Sequence, residues 1–171
     1  MLPIQDSVHI RDATLSDNVG ICRLMAEWPQ GSAATAAATG AGTVKVRRVA
    51  ECNGEIVGLL VGHHHFNGWR MLAGYADTPP HVTGSLITEL YVRPDCRRAG
   101  IGRALIASFI EESAALGRKM VVAQLDESES HLPHQARVDF FRAVGFAWLT
   151  PTSAFLPAGR QLMGREPSAA L

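Results

Sequence analysis

The stretch Leu86-Ile87-Thr88-Glu89-Leu90-Tyr91-Val92-Arg93-Pro94-Asp95-Cys96-Arg97-Arg98-Ala99-Gly100-Ile101-Gly102-Arg103 decides the fold. Apart from Glu89, its first seven residues are aliphatic, aromatic or β-branched and read as a strand. Arg93 to Gly102 forms a turn. Ile101, Leu105, Phe109 and Leu116 then recur along one helical face, and Gly117 stops the helix. Met120 to Leu125 is the next strand. Strand, glycine-rich turn, helix and strand make a βαβ-like unit with the turn at the carboxyl end of its first strand. Such a turn is an anion site. Helix-start N–H groups lack intrahelical acceptors and carry the positive end of the helix dipole, glycines let a bulky oxyanion approach the backbone, and arginines close around it.

Working outward, Val8-His9-Ile10 is a short strand. Ala13 to Asp17 supplies capping residues for a helix carrying Val19, Ile21, Leu24 and Met25, which ends near Pro29. Residues 31–42, rich in Ala, Thr and Gly, are either a weak second helix or a loop. Val44 to Ala50 and Glu55 to Val61 are strands joined at Asn53-Gly54, a type I′ hairpin pair. Asn67 to Gly84, with Trp69, Tyr75, Pro79, Pro80 and His81, reads as an irregular connection near a site. Downstream, Gln135 to Val144 is a helix with Gly145 as its C-cap. Phe146 to Leu149 and Gln161 to Met163 are the last strands, and the Ser/Ala tail after Pro167 is expected to fray. This order implies one α/β domain with a mixed sheet and a core spanning about residues 8–163.

Sixteen Lys+Arg balance sixteen Asp+Glu over 171 residues, and 47% of the chain is hydrophobic. A real core is expected, and disorder is excluded. The neutral balance argues against a nucleic-acid groove or a polybasic membrane surface. The total hides two patches. Arg93, Arg97, Arg98 and Arg103 against Asp95 leave +3 in the turn, whereas Ala104 to Asp139 carries −3. Fourteen of the sixteen cations are arginine, the side chain suited to bidentate phosphate contacts. Cys22, Cys52 and Cys96 are widely spaced without a metal-type pattern, which points to a reducing compartment. Met1 to Asp6 lacks a basic region followed by an apolar core, and no stretch is apolar enough to span a bilayer. The expected location is the cytoplasm, with no membrane partner.

Two phosphate-loop patterns fail on the turn. GxxxxGK[ST] needs a Lys-Ser/Thr that is absent, and GxGxxG fails because Gly100-Ile101-Gly102 continues into Arg103-Ala104-Leu105. The remaining pattern, R-x-x-G-x-G after an L-x-V strand, resembles the acetyl-CoA signature of the GNAT superfamily of N-acetyltransferases. Phe140-Phe141-Arg142-Ala143-Val144-Gly145-Phe146 resembles that family's late helix, usually F-Y-x-x-x-G-F. Ile10 to Thr14 followed by Asp17 resembles its first strand and helix. The resemblance covers Val8 to Met163.

That resemblance implies a GNAT-like fold and transfer of acetyl from acetyl-CoA to a primary amine of a small molecule or peptide, by direct attack without a metal. It implies that the turn residues Arg97, Arg98, Ala99, Gly100, Ile101, Gly102 and Arg103 hold the CoA pyrophosphate. Leu90, Tyr91 and Val92 would line the pantetheine arm, with the Leu90 and Val92 backbones pairing with it. His134 stands where many members have an asparagine near that arm. Phe141 stands where the family commonly has the tyrosine that protonates the departing thiolate, and phenylalanine carries no proton to give. Homodimers are frequent in the family, so a homodimer is an expected assembly. Two other readings stay open: a non-catalytic acyl-CoA-binding module, and an acyltransferase using a longer acyl-CoA.

Direct transfer needs a neutral amine, a positioned thioester and a route for the amine's proton. Glu89 is the candidate base, at alternate spacing with Tyr91 and opposite in face to Leu90 and Val92. Tyr91 is the candidate substitute proton donor, with water as the other source. A salt-bridging or acceptor-binding Glu89 is the competing reading. His63-His64-His65 alternates across a strand and reads as structural or acceptor-pocket histidines rather than metal ligands. His81, His131 and His134 read as pocket lining or surface. Cys96 beside the arginines suggests a nucleophile, but direct attack needs none. Trp28 and Trp69 are either acceptor-groove walls or buried anchors. Asp126, Glu127 and Glu129 are an acidic loop able to attract a cationic amine.

Overall fold

Asn53 and Gly54 take positive φ values of 51° and 80°, the pair a type I′ turn requires, and they close the hairpin that starts the sheet. The computed structural model describes residues 8–28, 45–66, 84–126, 132–149 and 160–167. Their strands are β1 (His9–Asp12), β2 (Lys45–Cys52), β3 (Glu55–Phe66), β4 (Gly84–Val92), β5 (Met120–Asp126), β6 (Ala147–Trp148) and β7 (Arg160–Arg165); the helices are α1 (Asn18–Ala26), α2 (Ile101–Ala115) and α3 (His134–Ala143). They form one seven-stranded mixed sheet in the order β1-β2-β3-β4-β5-β7-β6. Among the described strands only β4 and β5 pair in parallel, as the crossover through α2 allows.

The sheet separates two cores. Under α2 and α3 lie Leu60, Ile87, Ile101, Leu105, Ile106, Phe109, Val121, Val138, Phe141 and Met163. Under α1 lie Ile21, Leu24, Met25, Trp28, Val49, Leu59, Val61 and Tyr91. Ile21, Leu24 and Met25 are the expected buried face of α1, whereas Val19 points to solvent at 64% exposure because it falls on the opposite side of the helix from that face. A capping box between Thr14 and Asp17 fixes the 3-10 turn Leu15–Asp17 that leads into α1. Arg11 grips the Asp17 carboxylate with both terminal nitrogens, at 2.7 and 2.8 Å, and holds it well below the usual carboxylate range.

The strands run longer than the sequence pattern suggests. β3 continues from Val61 through the three histidines to Phe66, and β4 begins at Gly84. Gly62 makes this extension possible: a Cβ there would sit 2.7 Å from the Phe109 ring. The expected loop or helix over residues 31–42, most of the irregular connection from Asn67, His131, Glu127, Glu129, His81, Trp69 and the tail after Pro167 fall outside the described residues.

Candidate active site

The two central strands part company. β4 pairs with β5 only from Gly84 to Ile87, against Met120 to Ala123. Beyond this, β4 follows β3 as far as Val92, while β5 follows β7 through Gln124, Leu125 and Asp126. A wedge therefore opens between Thr88–Val92 and Gln124–Asp126. The Arg93 N–H donates to the Val57 carbonyl of β3 at 2.9 Å, so by ladder alternation the polar backbone groups of Val92 and Leu90 point away from β3, into the wedge. The Val92 carbonyl accepts there from Arg97 Nε at 2.9 Å.

A bulge sets which side chains face which core. Val61 is opposite Glu89 and Gly62 is opposite Ile87, so Thr88 is an extra residue in β4. The Thr88 hydroxyl donates to the Val61 carbonyl at 3.1 Å and secures it. After the bulge, alternation runs as the sequence reads: Leu90 and Val92 lie on the α2 side, Tyr91 on the α1 side. Glu89, two residues before Tyr91 and opposite Val61, shares the α1 face and is half-buried. His63, two residues beyond Val61, stands on that face as well.

The turn at the mouth of the wedge is shaped for an anion. Arg98 and Gly100 both adopt left-handed backbone, with φ of 65° and 81°. Gly100 is the N-cap of α2 without a side-chain cap, and the first intrahelical bond is from Ala104 N–H to the Gly100 carbonyl at 3.0 Å. The N–H groups of Ile101, Gly102 and Arg103 thus precede the ladder. Ile101 anchors the turn in the core at 3% exposure, while Arg98, Ala99, Gly100 and Arg103 are exposed. Gly102 lies against Phe140 of α3, whose ring closes the side of the turn.

Tyr91 sits at 2% exposure with the Trp28 ring stacked on it, 5.4 Å between centroids and 9° from parallel. The Arg97 guanidinium lies 5.6 Å from the Tyr91 centroid. Burial pushes the phenol above its ordinary value, and Arg97 offsets part of that rise. The phenol is thus part of a packed stack beneath α1.

On α3, His134 occupies the first turn and stacks on Trp148, with centroids 6.4 Å apart; its Nδ1 is buried without a hydrogen-bond partner. Phe141 faces the core, 7% exposed, edge-on to Phe140 and Phe146. Cys96 is buried and its thiol is pushed up by that burial, with Arg93 pulling the other way, which is the reverse of an activated nucleophile. His64 turns to the opposite face from His63 and enters a buried network. Its Nε2 meets Glu112 Oε2 at 2.8 Å and its Nδ1 meets Ser85 Oγ at 2.9 Å, while Arg48 also bonds Glu112. Among the described residues no group of three or more His, Cys, Asp or Glu could hold a metal ion. Sequence reasoning missed the Thr88 bulge and the Trp28–Tyr91 stack, which depend on register and on where α1 crosses the sheet; the one available sign was the aromatic Trp28 near the end of α1.

The family model described as "Acetyltransferase (GNAT) domain" matches residues 47–147. The L-amino acid N-acyltransferase MnaT of Escherichia coli is 28% identical over 89 residues, 52% of this chain and 45% of its own. An L-methionine sulfoximine/L-methionine sulfone acetyltransferase of Pseudomonas aeruginosa is 27% identical over 111 residues, 65% of this chain and 55% of its own. The chain thus spans about half the length of these curated relatives. Among solved structures, the ribosomal-protein-S18-alanine N-acetyltransferase of Escherichia coli superposes with a TM-score of 0.65 at 17% identity, covering 96% of both chains. A PaiA N-acetyltransferase of Thermoplasma acidophilum in complex with coenzyme A gives 0.65 at 11% identity, covering 94% of this chain and 99% of its own.

Proposed function

Because the chain belongs to the GNAT acetyltransferase domain family, we propose that it moves the acetyl group of acetyl-CoA to the primary amine of a small molecule, with α-amino acids as the favoured acceptor class. The observation that carries this reading is the wedge between β4 and β5, closed at its mouth by the Arg97–Arg103 turn. The turn takes the pyrophosphate, with Arg97, Arg98, Ala99, Gly100, Ile101, Gly102 and Arg103 around it. The pantetheine arm lies along Leu90, Tyr91 and Val92 as an added strand, with His134 of α3 on its far side and Phe141 beneath it.

The acceptor enters from the α1 face. Its ammonium gives a proton to Glu89, directly or through water, and the neutral nitrogen attacks the thioester carbonyl carbon. The C–N bond forms, the C–S bond breaks, the nitrogen gives its second proton to water, and CoA leaves as a thiolate that takes a proton back from water; a thiol of ordinary pKa near 8.5 leaves readily. Tyr91, packed under Trp28, serves this step as a wall and not as the donor. An amino-acid acceptor is supported by the named activities of the two relatives above and by charged or titratable side chains on that face: Glu89, His63 and Arg47, which stands opposite Val61 on β2. The reaction needs no metal.

A second reading rests on Phe141. Without a donor at that position the domain would bind an acyl-CoA, of acetyl or longer chain, without turning it over. Isothermal titration with CoA together with a thiol-release assay over a panel of L-amino acids separates the two: binding with turnover supports the transferase, binding without turnover the module. We further propose a cytoplasmic setting, in which Cys22, Cys52 and Cys96 stay as free thiols, and a homodimer, as the family resemblance implies; sedimentation velocity tests the dimer.

A further inference from the structure

Three side chains connect the donor turn to the end of α1. Arg97 donates from Nε to the Val92 carbonyl, the acceptor that faces the wedge, and its guanidinium carbon lies 5.6 Å from the Tyr91 ring centroid. Tyr91 carries Trp28 on its ring at 5.4 Å, nearly parallel. Trp28 is 7% exposed and is the last described residue before the segment that leads from α1 to β2. A pantetheine amide pairing with β4 competes for the Val92 carbonyl, while a pyrophosphate in the turn competes for the guanidinium. Arg97 therefore has two positions open to it: bonded to Val92, or drawn toward a phosphate oxygen.

We propose that Trp28 is a positioning residue for the donor site: stacked on Tyr91, it holds the ring against which Arg97 rests, so that donor binding and the C-terminal end of α1 are energetically coupled. This rests on the acetyl-CoA reading above and adds to it a route between donor and acceptor sides. The coupling is reciprocal, as any binding linkage must be. Aromaticity at position 28 is what matters, because a flat ring keeps the offset stack and a branched aliphatic chain does not.

The test uses the full chain and CoA as the probe. Titration calorimetry is expected to show that Trp28→Leu weakens CoA about fivefold, the low end of ordinary coupling, although Trp28 lies across Tyr91 from the turn. Trp28→Phe stays within about twofold of the parent. In a double-mutant cycle, Trp28→Leu and Arg97→Gln are expected to be non-additive in CoA affinity. In a Trp69→Phe/Trp148→Phe background that still binds CoA, where Trp28 is the one tryptophan left, CoA is also expected to change the tryptophan emission. A purely structural Trp28 would lower the melting temperature and leave CoA affinity and emission response alone. Additive effects, an unchanged CoA affinity in folded Trp28→Leu, or an emission that CoA leaves unchanged in that background overturns the coupling while leaving the transferase reading intact. Should Trp28→Leu fail to fold, the emission of Trp28 alone in that background, with and without CoA, decides by itself. A parent protein that does not bind CoA overturns both readings.

Discussion

Glu89 stands directly opposite Val61 across the β3–β4 ladder, whereas Gly62 stands opposite Ile87, so one residue, Thr88, separates the end of β4 that pairs with β5 from the end that lines the wedge. The bulge turns Glu89 and Tyr91 to the α1 face and leaves the Leu90 and Val92 side chains over the other core.

Glu89→Gln keeps the shape of that position and removes its basicity. With Glu89 as the base, kcat falls by about 10²- to 10⁴-fold, and the limb of the rate profile that declines toward acid pH disappears. An unchanged profile would assign the proton to another group. Tyr91→Phe retains the stack on Trp28 and is expected to keep most of kcat; a large loss there, with no gain in Phe141→Tyr, would make Tyr91 the donor after all.

Gly100 and Gly117 bracket α2, and both hold left-handed backbone, at φ of 81° and 67°, with open space where a Cβ would stand. Alanine at either position costs about 1–2 kcal/mol of backbone strain and lowers the melting temperature of both variants alike, by about 2–4 °C per kcal/mol. Only Gly100→Ala is expected to weaken CoA binding, because only Gly100 shapes the turn. Equal CoA affinity in the two variants, measured by calorimetry, would remove the turn from the donor site.

Much of this arrangement is legible in the residues. Asn53-Gly54 fixes the hairpin, Gly100-Ile101-Gly102 marks the helix start, and Ile101, Leu105 and Phe109 give the buried face of α2. The lengths of β3 and β4 are not legible, because the extension of β3 depends on Gly62 making room for the Phe109 ring from α2. The split of the three histidines is only half readable. Alternation sends His64 away from His63, but nothing local announces that Ser85, 21 residues on, and Glu112, 48 residues on, will receive it. The site is readable where it is made of backbone, at the turn, and opaque where distant side chains meet, as Trp28 and Tyr91 do.

His64 makes stability depend on pH with a defined sign. Burial lowers its pKa below the ordinary 6.5, outweighing the Glu112 carboxylate that raises it; Arg48 and Arg118 lower it further. The unfolded chain then binds the proton more readily than the native one, so stability is full above the unfolded value and falls as pH drops below about 6.5 toward the lower native pKa. His64→Gln, which keeps hydrogen-bonding capacity without titrating, should flatten this part of a denaturation series between pH 7 and pH 5. A parent curve that is already flat there would contradict a buried neutral imidazole.

Gly102 meets Phe140 closely: a Cβ on Gly102 would come 3.2 Å from the Phe140 ring. Gly102→Ala is expected to raise the KM for acetyl-CoA by displacing that ring from the side of the turn, and Phe140→Leu in the same chain should recover part of the loss. The comparison is made by steady-state kinetics at saturating acceptor.

The proposed acetyl transfer takes place in the wedge between β4 and β5. It is tested most directly by incubating the full chain with acetyl-CoA and a panel of L-amino acids, following free thiol and confirming the N-acetyl product by mass. Acceptor-dependent thiol release with one acetyl gained per thiol, lost in Glu89→Gln, is the predicted result. CoA binding with no acceptor-dependent release for any amine would contradict a transferase and leave an acyl-CoA-binding domain.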